Sequence, residues 1–116
     1  MQGPGIFFGG RHMEWMYLIL AGIFEITWAT TMKLSQGFSK ALPTLITIIG
    51  YMASAIFLSM ALKKIPLGSA YAIWTGIGIV GTSVLGVVLF HEMLSGLQIL
   101  YIGLIVMGVV GLKLLA

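Results

Sequence analysis

The chain reads as an all-α membrane protein, a four-transmembrane-helix bundle, and three observations carry that reading. Of its 116 residues 59% are hydrophobic and 8% are charged, and the mean hydropathy is +1.11, which lies outside the soluble globular class. The apolar residues fall into four runs, each about long enough to cross the ~30 Å hydrocarbon core of a bilayer. The joints between runs are short, so each helix must return antiparallel to its predecessor.

The first run covers about 15–33, from Trp15 to Lys33. Ser35, Gln36, Gly37, Phe38, Ser39 and Lys40 form a polar turn, and Pro43 suits the first turn of a second helix over about 43–62. Lys63 and Lys64 close that helix, where positive side chains complement a C-terminus. Pro66, Leu67 and Gly68 make the next turn. A third helix over about 69–90 opens on Ser69, a candidate cap, and the segment His91 to Gly96 leads into a fourth over about 97–115. Residues 1–12, MQGPGIFFGGRH, belong to no periodic segment. They are expected to be an N-terminal extension or a cloning remnant ahead of a four-helix transmembrane unit at 13–116, and Ile6 to Phe8 is too short an apolar run for a signal peptide.

Composition excludes several chemistries. The net charge of +3 comes from six basic and three acidic residues, most of them at helix ends, and gives no support to nucleic-acid binding. Cysteine is absent, so no disulfide, thiol nucleophile or thiolate-ligated metal is available. His12 and His91 stand alone, without the clustering of metal ligands. No metal or cofactor is expected, and an enzyme is disfavoured because no nucleophile or pair of acids is grouped in the chain. The eight methionines read as flexible packing residues.

Glu25 is the feature to explain. It sits near the middle of the first span, where an ionised carboxylate costs on the order of 2.5–3.5 kcal/mol on insertion scales and is a functional-site hypothesis by default. Lys33 lies eight residues on, about 12 Å along the axis, too far to neutralise it. A proton or a substrate cation would satisfy it. Turning each helix at 100° per residue puts Leu18, Ala21, Gly22, Glu25, Trp28, Ala29 and Met32 on one face of the first helix. Thr47, Gly50, Tyr51, Ser54, Phe57 and Ala61 share a face of the second. On the third, Tyr71, Trp74, Thr75, Gly78, Thr82 and Gly86 line one side, while Ile73, Val80, Val84 and Val87 look lipid-facing. The polar faces should converge on Glu25. Gly76 and Gly78 put two flexible residues in mid-helix, a candidate hinge. On the fourth helix Gly103, Met107, Gly108 and Gly111 form a small-residue surface, read as an oligomer contact.

Lys33 and Lys40 lie on one side of the membrane, and Lys63, Lys64 and Lys113 on the other. So small a bias under the positive-inside rule would let the chain insert both ways round. Two opposed copies would form an inverted repeat of the kind that surrounds transporter sites, hence an expected antiparallel homodimer with dual topology.

From Met13 to Ala116 the chain resembles the small multidrug resistance transporters. The resemblance rests on four short helices, the central Glu25, the run Ala70, Tyr71, Ala72, Ile73, Trp74 followed by Thr75, Gly76, Ile77, Gly78, and the glycine-lined fourth helix. The stretch GIFEITWATTMKLSQGF, with Trp28 three residues after Glu25, resembles the guanidinium exporter branch, and Lys113 is a weaker supporting mark. The resemblance implies antiparallel dimers in the bacterial inner membrane and proton-coupled export, with opposed Glu25 carboxylates as a shared proton and substrate site. Guanidinium is planar, always charged and forked, which suits bidentate binding by carboxylates. Trp28 and Trp74 would wall the site by cation–π contact, and Ser54 and Tyr71 would donate hydrogen bonds to the carboxylates. Competing readings are a looser exporter of quaternary ammonium or other drug cations, a passive cation channel, and a non-transporting membrane assembly protein in which Glu25 only associates helices.

Overall fold

The computed structural model describes residues 4–115, with side chains from residue 13 onward. It consists of four helices in chain order, α1 (Pro4–Leu34), α2 (Ala41–Ala61), α3 (Leu67–Phe90) and α4 (Gly96–Leu115). All four hold a stretch long and apolar enough to cross a membrane, and in α1 this is Met13–Leu34. The bounds of α2, α3 and α4 fall close to expectation. α1 departs from it, because its backbone helix reaches back past Trp15 to Pro4, a residue tolerated at a first helical position. The reading of residues 1–12 as an added segment falls largely outside the described residues, since only the helical backbone of 4–12 is described.

The joints are fixed by local hydrogen bonding. After α1, Gln36, Gly37 and Phe38 take φ of 50°, 72° and 63°, a left-handed path that is costly outside glycine. Ser35 holds it in place. Its buried hydroxyl donates to the Met32 carbonyl at 2.6 Å and accepts the Phe38 N–H at 3.0 Å. Before α3 the capping position belongs to Pro66 rather than Ser69. The proline's extended conformation ends the turn, and its carbonyl accepts the Ala70 N–H at 2.9 Å, which leaves Ser69 inside the first turn. At the far end His91 is left-handed, with φ 56°, and the Glu92 N–H closes back on the Gly86 carbonyl at 3.1 Å, which ends the helix.

α1 lies against α2 and α3, whereas the α4 backbone runs beside α3 alone. The buried core, Leu18, Ala61, Ile65, Ala70 and Ile73, sits towards the α2–α3 joint. Glycines set the spacing of the helices. A Cβ on Gly22 would strike Ile77, one on Gly81 would strike Ile26, and one on Gly50 would crowd Trp28 at 3.1 Å. Small residues at these crossings let backbones approach closely. The expected faces of α1 and α2 are borne out at Leu18, Ala21, Thr47, Gly50, Ser54 and Ala61, all buried. On α3 the expectation needs correction at Ile73, which is buried rather than lipid-facing. α4 covers that side: Gly76 packs on Val109, and Val80 shares an apolar groove with Val106 and Val110. Val84 and Val87, beyond it, are exposed as expected.

Candidate functional site

Glu25 is half-buried on α1, and its carboxylate is seated on Gly78 of α3, where any Cβ would run into it. The exposed side of the carboxylate faces a cavity of about 300 Å³ between α1 and α3, walled by Trp28 and Ala29 on one side and by Thr75, Ile79 and Thr82 on the other. Among the described residues the one ion pair joins Lys33 to Glu92 and does not involve Glu25. The hydroxyls in this cavity are oriented by their own helix. Thr82 donates to the Gly78 carbonyl at 2.7 Å and Thr75 to the Tyr71 carbonyl at 2.9 Å. With their protons committed, both oxygens have lone pairs left to accept. A cavity with one carboxylate, two accepting hydroxyls and an aromatic wall suits a cation.

Trp28 stands at the cavity edge, its ring meeting Tyr51 edge-on at 5.3 Å. The indole Nε1 is buried without a hydrogen-bond partner among the described residues, an arrangement uncommon enough to need an explanation. Beyond Trp28, a second, apolar cavity of about 330 Å³ continues to Met32, Ile48 and Tyr51.

Ser54 and Trp74 lie close by, but the expectation that Ser54 donates to the carboxylate is not met. Its fully buried hydroxyl donates to the Ala21 carbonyl at 2.7 Å and accepts from Trp74 Nε1 at 2.9 Å, while Trp74 Nε1 also reaches the Ala21 carbonyl at 3.2 Å. Ala21 lies one helical turn before Glu25, and a carbonyl oxygen has a second lone pair to offer beyond its helical bond. A buried hydroxyl takes the acceptor within reach, which here is backbone. Ser54 and Trp74 therefore lock α1 against α2 and α3 just below Glu25. Tyr71 is exposed and packs edge-on against Trp74 at 5.2 Å; no described hydrogen bond joins it to Glu25. Of the five residues expected at the site, Glu25 and Trp28 share the cavity, and Ser54, Trp74 and Tyr71 form a cluster beneath it.

Thr75 and Thr82 fell on the expected face of α3 without being named as site residues. Their signal is the 75, 78, 82 spacing that places them around Gly78 on one stripe. The proposed hinge glycines sit in an unbroken helix and serve as close contacts, Gly76 for Val109 and Gly78 for Glu25. On α4, a Cβ on Gly103, Gly108 or Gly111 would meet no described residue within 4 Å, and Met107 is exposed.

Three charged residues away from the Glu25 cavity have neighbours that the helical pattern does not give. Glu14 is buried, and α1 continues past it, so it does not stand at a helix end. Glu92 is held by Lys33, whose Nζ also lies 4.8 Å from the Phe90 ring centre. Lys113 Nζ lies 4.6 Å over the Trp15 ring, a cation–π contact.

The family model described as Small Multidrug Resistance protein matches residues 13–105. The chain is 49% identical over 102 residues to a guanidinium exporter of Yersinia pseudotuberculosis, covering 88% of this chain and 98% of that protein. A guanidinium exporter of Salmonella typhimurium is 47% identical over 104 residues, with 90% and 99% covered. One from Citrobacter freundii is 44% identical over 102 residues, with 88% and 97% covered. With four apolar spans and relatives of this kind, the protein is a multi-pass transport protein of the bacterial inner membrane, and the chain belongs to the Small Multidrug Resistance protein family.

Proposed function

We propose that this protein exports guanidinium in exchange for protons, with Glu25 as the shared binding group, and that it is not an enzyme. The observation that carries the reading is the Glu25 cavity: a carboxylate at the middle of a membrane span, without a described protein cation, opposite hydroxyls that accept and beside an indole face. Similarity over most of the chain to proteins named guanidinium exporters supports guanidinium as the substrate.

Guanidinium donates from a flat fork, so a carboxylate can take two of its N–H groups while Thr75 and Thr82 accept others. Trp28 adds a face worth about 0.5–2 kcal/mol. Proton and guanidinium then compete for one carboxylate. A proton arriving from one side of the membrane releases the cation, and its departure to the other side restores the site.

The working unit is an antiparallel homodimer of opposed copies. One protomer leaves the Glu25 cavity open on one side, the Trp28 N–H unpartnered, and the Gly103, Met107, Gly108 and Gly111 face of α4 uncovered, and a second copy supplies what these lack. In such a dimer the two protomers take different shapes and exchange them, with a bend at Gly76 and Gly78 providing the difference. The inward-open and outward-open states then have nearly equal energy, because the sequences are identical. Residues 1–12 are dispensable for this activity, in keeping with a family match that begins at residue 13.

The test is guanidinium uptake and proton movement in proteoliposomes for the unaltered protein and for Glu25→Gln. Guanidinium flux tied to opposite proton flux, absent in the variant, is the expected result. Flux without protons would indicate a channel, and competition from bulky quaternary ammonium ions as strong as that from guanidinium would point to a drug exporter.

A further inference from the structure

The Glu25 cavity does not end the groove between α1 and α3. A second cavity of about 310 Å³ adjoins it towards the membrane surface, and Ala29 and Thr82 line both. The two share a chemical plan. Glu25 sits on Gly78, and Glu92 sits on Gly86, where a Cβ would likewise run into the carboxylate. Those glycines are eight residues apart on α3, about 12 Å along the helix. Each carboxylate has an aromatic neighbour, Trp28 in the inner cavity and Phe90 in the outer. Each cavity also has a threonine whose proton is committed to its own helix: Thr82 is common to both, and in the outer one Thr30 donates to the Ile26 carbonyl at 2.7 Å. The outer position is already filled by a cation. The ammonium of Lys33 pairs with Glu92 and lies 4.8 Å from the centre of the Phe90 ring.

We propose that Glu92 and Phe90, with Thr82 and Thr30, form an outer cation subsite for a small planar cation of the guanidinium type. Lys33 is its tethered occupant, displaced when the substrate passes to Glu25. Its substrate class rests on the proposed exporter reading. Exchange here is easy because Lys33 and Glu92 are both about half exposed, and such pairs hold only weakly against water. Guanidinium is better matched than ammonium to this pair of partners, since its fork of N–H groups donates edge-on to a carboxylate while its face lies on an aromatic ring. Displacing Lys33 also leaves its ammonium at the membrane boundary, where it can remain hydrated, so net charge at the subsite is kept during transfer.

Two measurements decide it. In proteoliposome uptake, Glu92→Gln should raise the KM for guanidinium about two- to fivefold and Lys33→Gln should lower it by a similar factor, the range that a water-facing charge contact supports. The kcat should stay near that of the unaltered protein in both, and Glu92→Asp should recover part of the loss. Separately, amide NMR of the Glu25→Gln protein titrated with guanidinium chloride, against sodium chloride at equal ionic strength, should show saturable shifts at Ser83 and Phe90. Those shifts should vanish in Glu25→Gln/Glu92→Gln, and the same spectra report whether each variant is folded. An unchanged KM in both single variants, or a fall in kcat at constant KM, overturns the subsite, the second leaving Lys33–Glu92 as a mere latch. So does an absence of saturable shifts in Glu25→Gln. If the unaltered protein carries no guanidinium, the exporter reading fails, and the NMR titration still decides whether the outer position binds the cation.

Discussion

α3 and α4 are both apolar, glycine-containing spans of similar length, and the protomer uses them in opposite ways. On α3 the glycines beyond the first turn are filled from outside, Gly78 by the Glu25 carboxylate, Gly76 by Val109, Gly81 by Ile26 and Gly86 by Glu92, and Gly68 in the first turn alone is open. On α4, Gly103, Gly108 and Gly111 face open space, and no residue of that helix is buried. The same residue type thus marks a packed site on one helix and an unfilled surface on the other. Glycine on a membrane helix says that something approaches closely; it does not say whether the neighbour belongs to the same chain.

Two substitutions separate these uses, and both should have large effects. Gly78→Val places branched carbons where the Glu25 carboxylate lies, so guanidinium transport should fall below detection while the proposed dimer keeps its size in detergent. Gly108→Ile should do the reverse at the level of structure. The protomer should stay folded by circular dichroism, since nothing in it is displaced, while cross-linking or sedimentation shows loss of the dimer, and transport falls with it. Intact dimers from Gly108→Ile would place the partner on a different face of α4. Normal transport by Gly78→Val would remove Glu25 from the site.

Much of this was legible from residue order. Four spans, their approximate bounds, and the stripes on α1 and α2 follow from hydropathy and a 100° turn. The position of Glu25 at the middle of its span follows from counting. What the pattern could not give is which atom a polar side chain reaches. Ser54 lies on the right face, yet its proton goes to the Ala21 carbonyl rather than to Glu25, because a helical periodicity locates a side chain to a face and leaves its partner within several ångströms undecided. Glu92 and Lys33 were out of reach for another reason: they are 59 residues apart in sequence, and only the packing of α1 on α3 brings them together. Ile73 was misassigned because periodicity distinguishes two sides of a helix without telling lipid from a neighbouring helix.

The Ala21 lock predicts an effect of intermediate size. Ser54→Ala removes both the donor to the Ala21 carbonyl and the acceptor for Trp74 Nε1, with the indole still able to reach that carbonyl at 3.2 Å. Rescue by Trp74 limits the cost to about 1–2 kcal/mol. It should appear as a lower unfolding midpoint in detergent, together with a several-fold loss of transport, because the α1 turn that carries Glu25 is no longer fixed on both sides. The double variant Ser54→Ala/Trp74→Phe should lose more than the sum of the singles, since the second change removes the remaining donor.

The smallest effect should come from Thr47, far from the carboxylate yet joined to the same helix pair. Its hydroxyl meets that of Thr31 at 2.7 Å, tying α2 to α1, and donates to the Pro43 carbonyl at 2.7 Å. Interhelical hydrogen bonds of this kind in membrane proteins average about 0.6 kcal/mol, so Thr47→Val, which keeps the shape and removes the hydroxyl, should lower stability by about that amount. Guanidinium transport should be unchanged, because the Ala21 lock already fixes α1 against α2 nearer to Glu25. If Thr47→Val instead lowered transport as much as Ser54→Ala, the register of α1 would be set along its whole contact with α2, and the local lock at Ala21 would lose its special role.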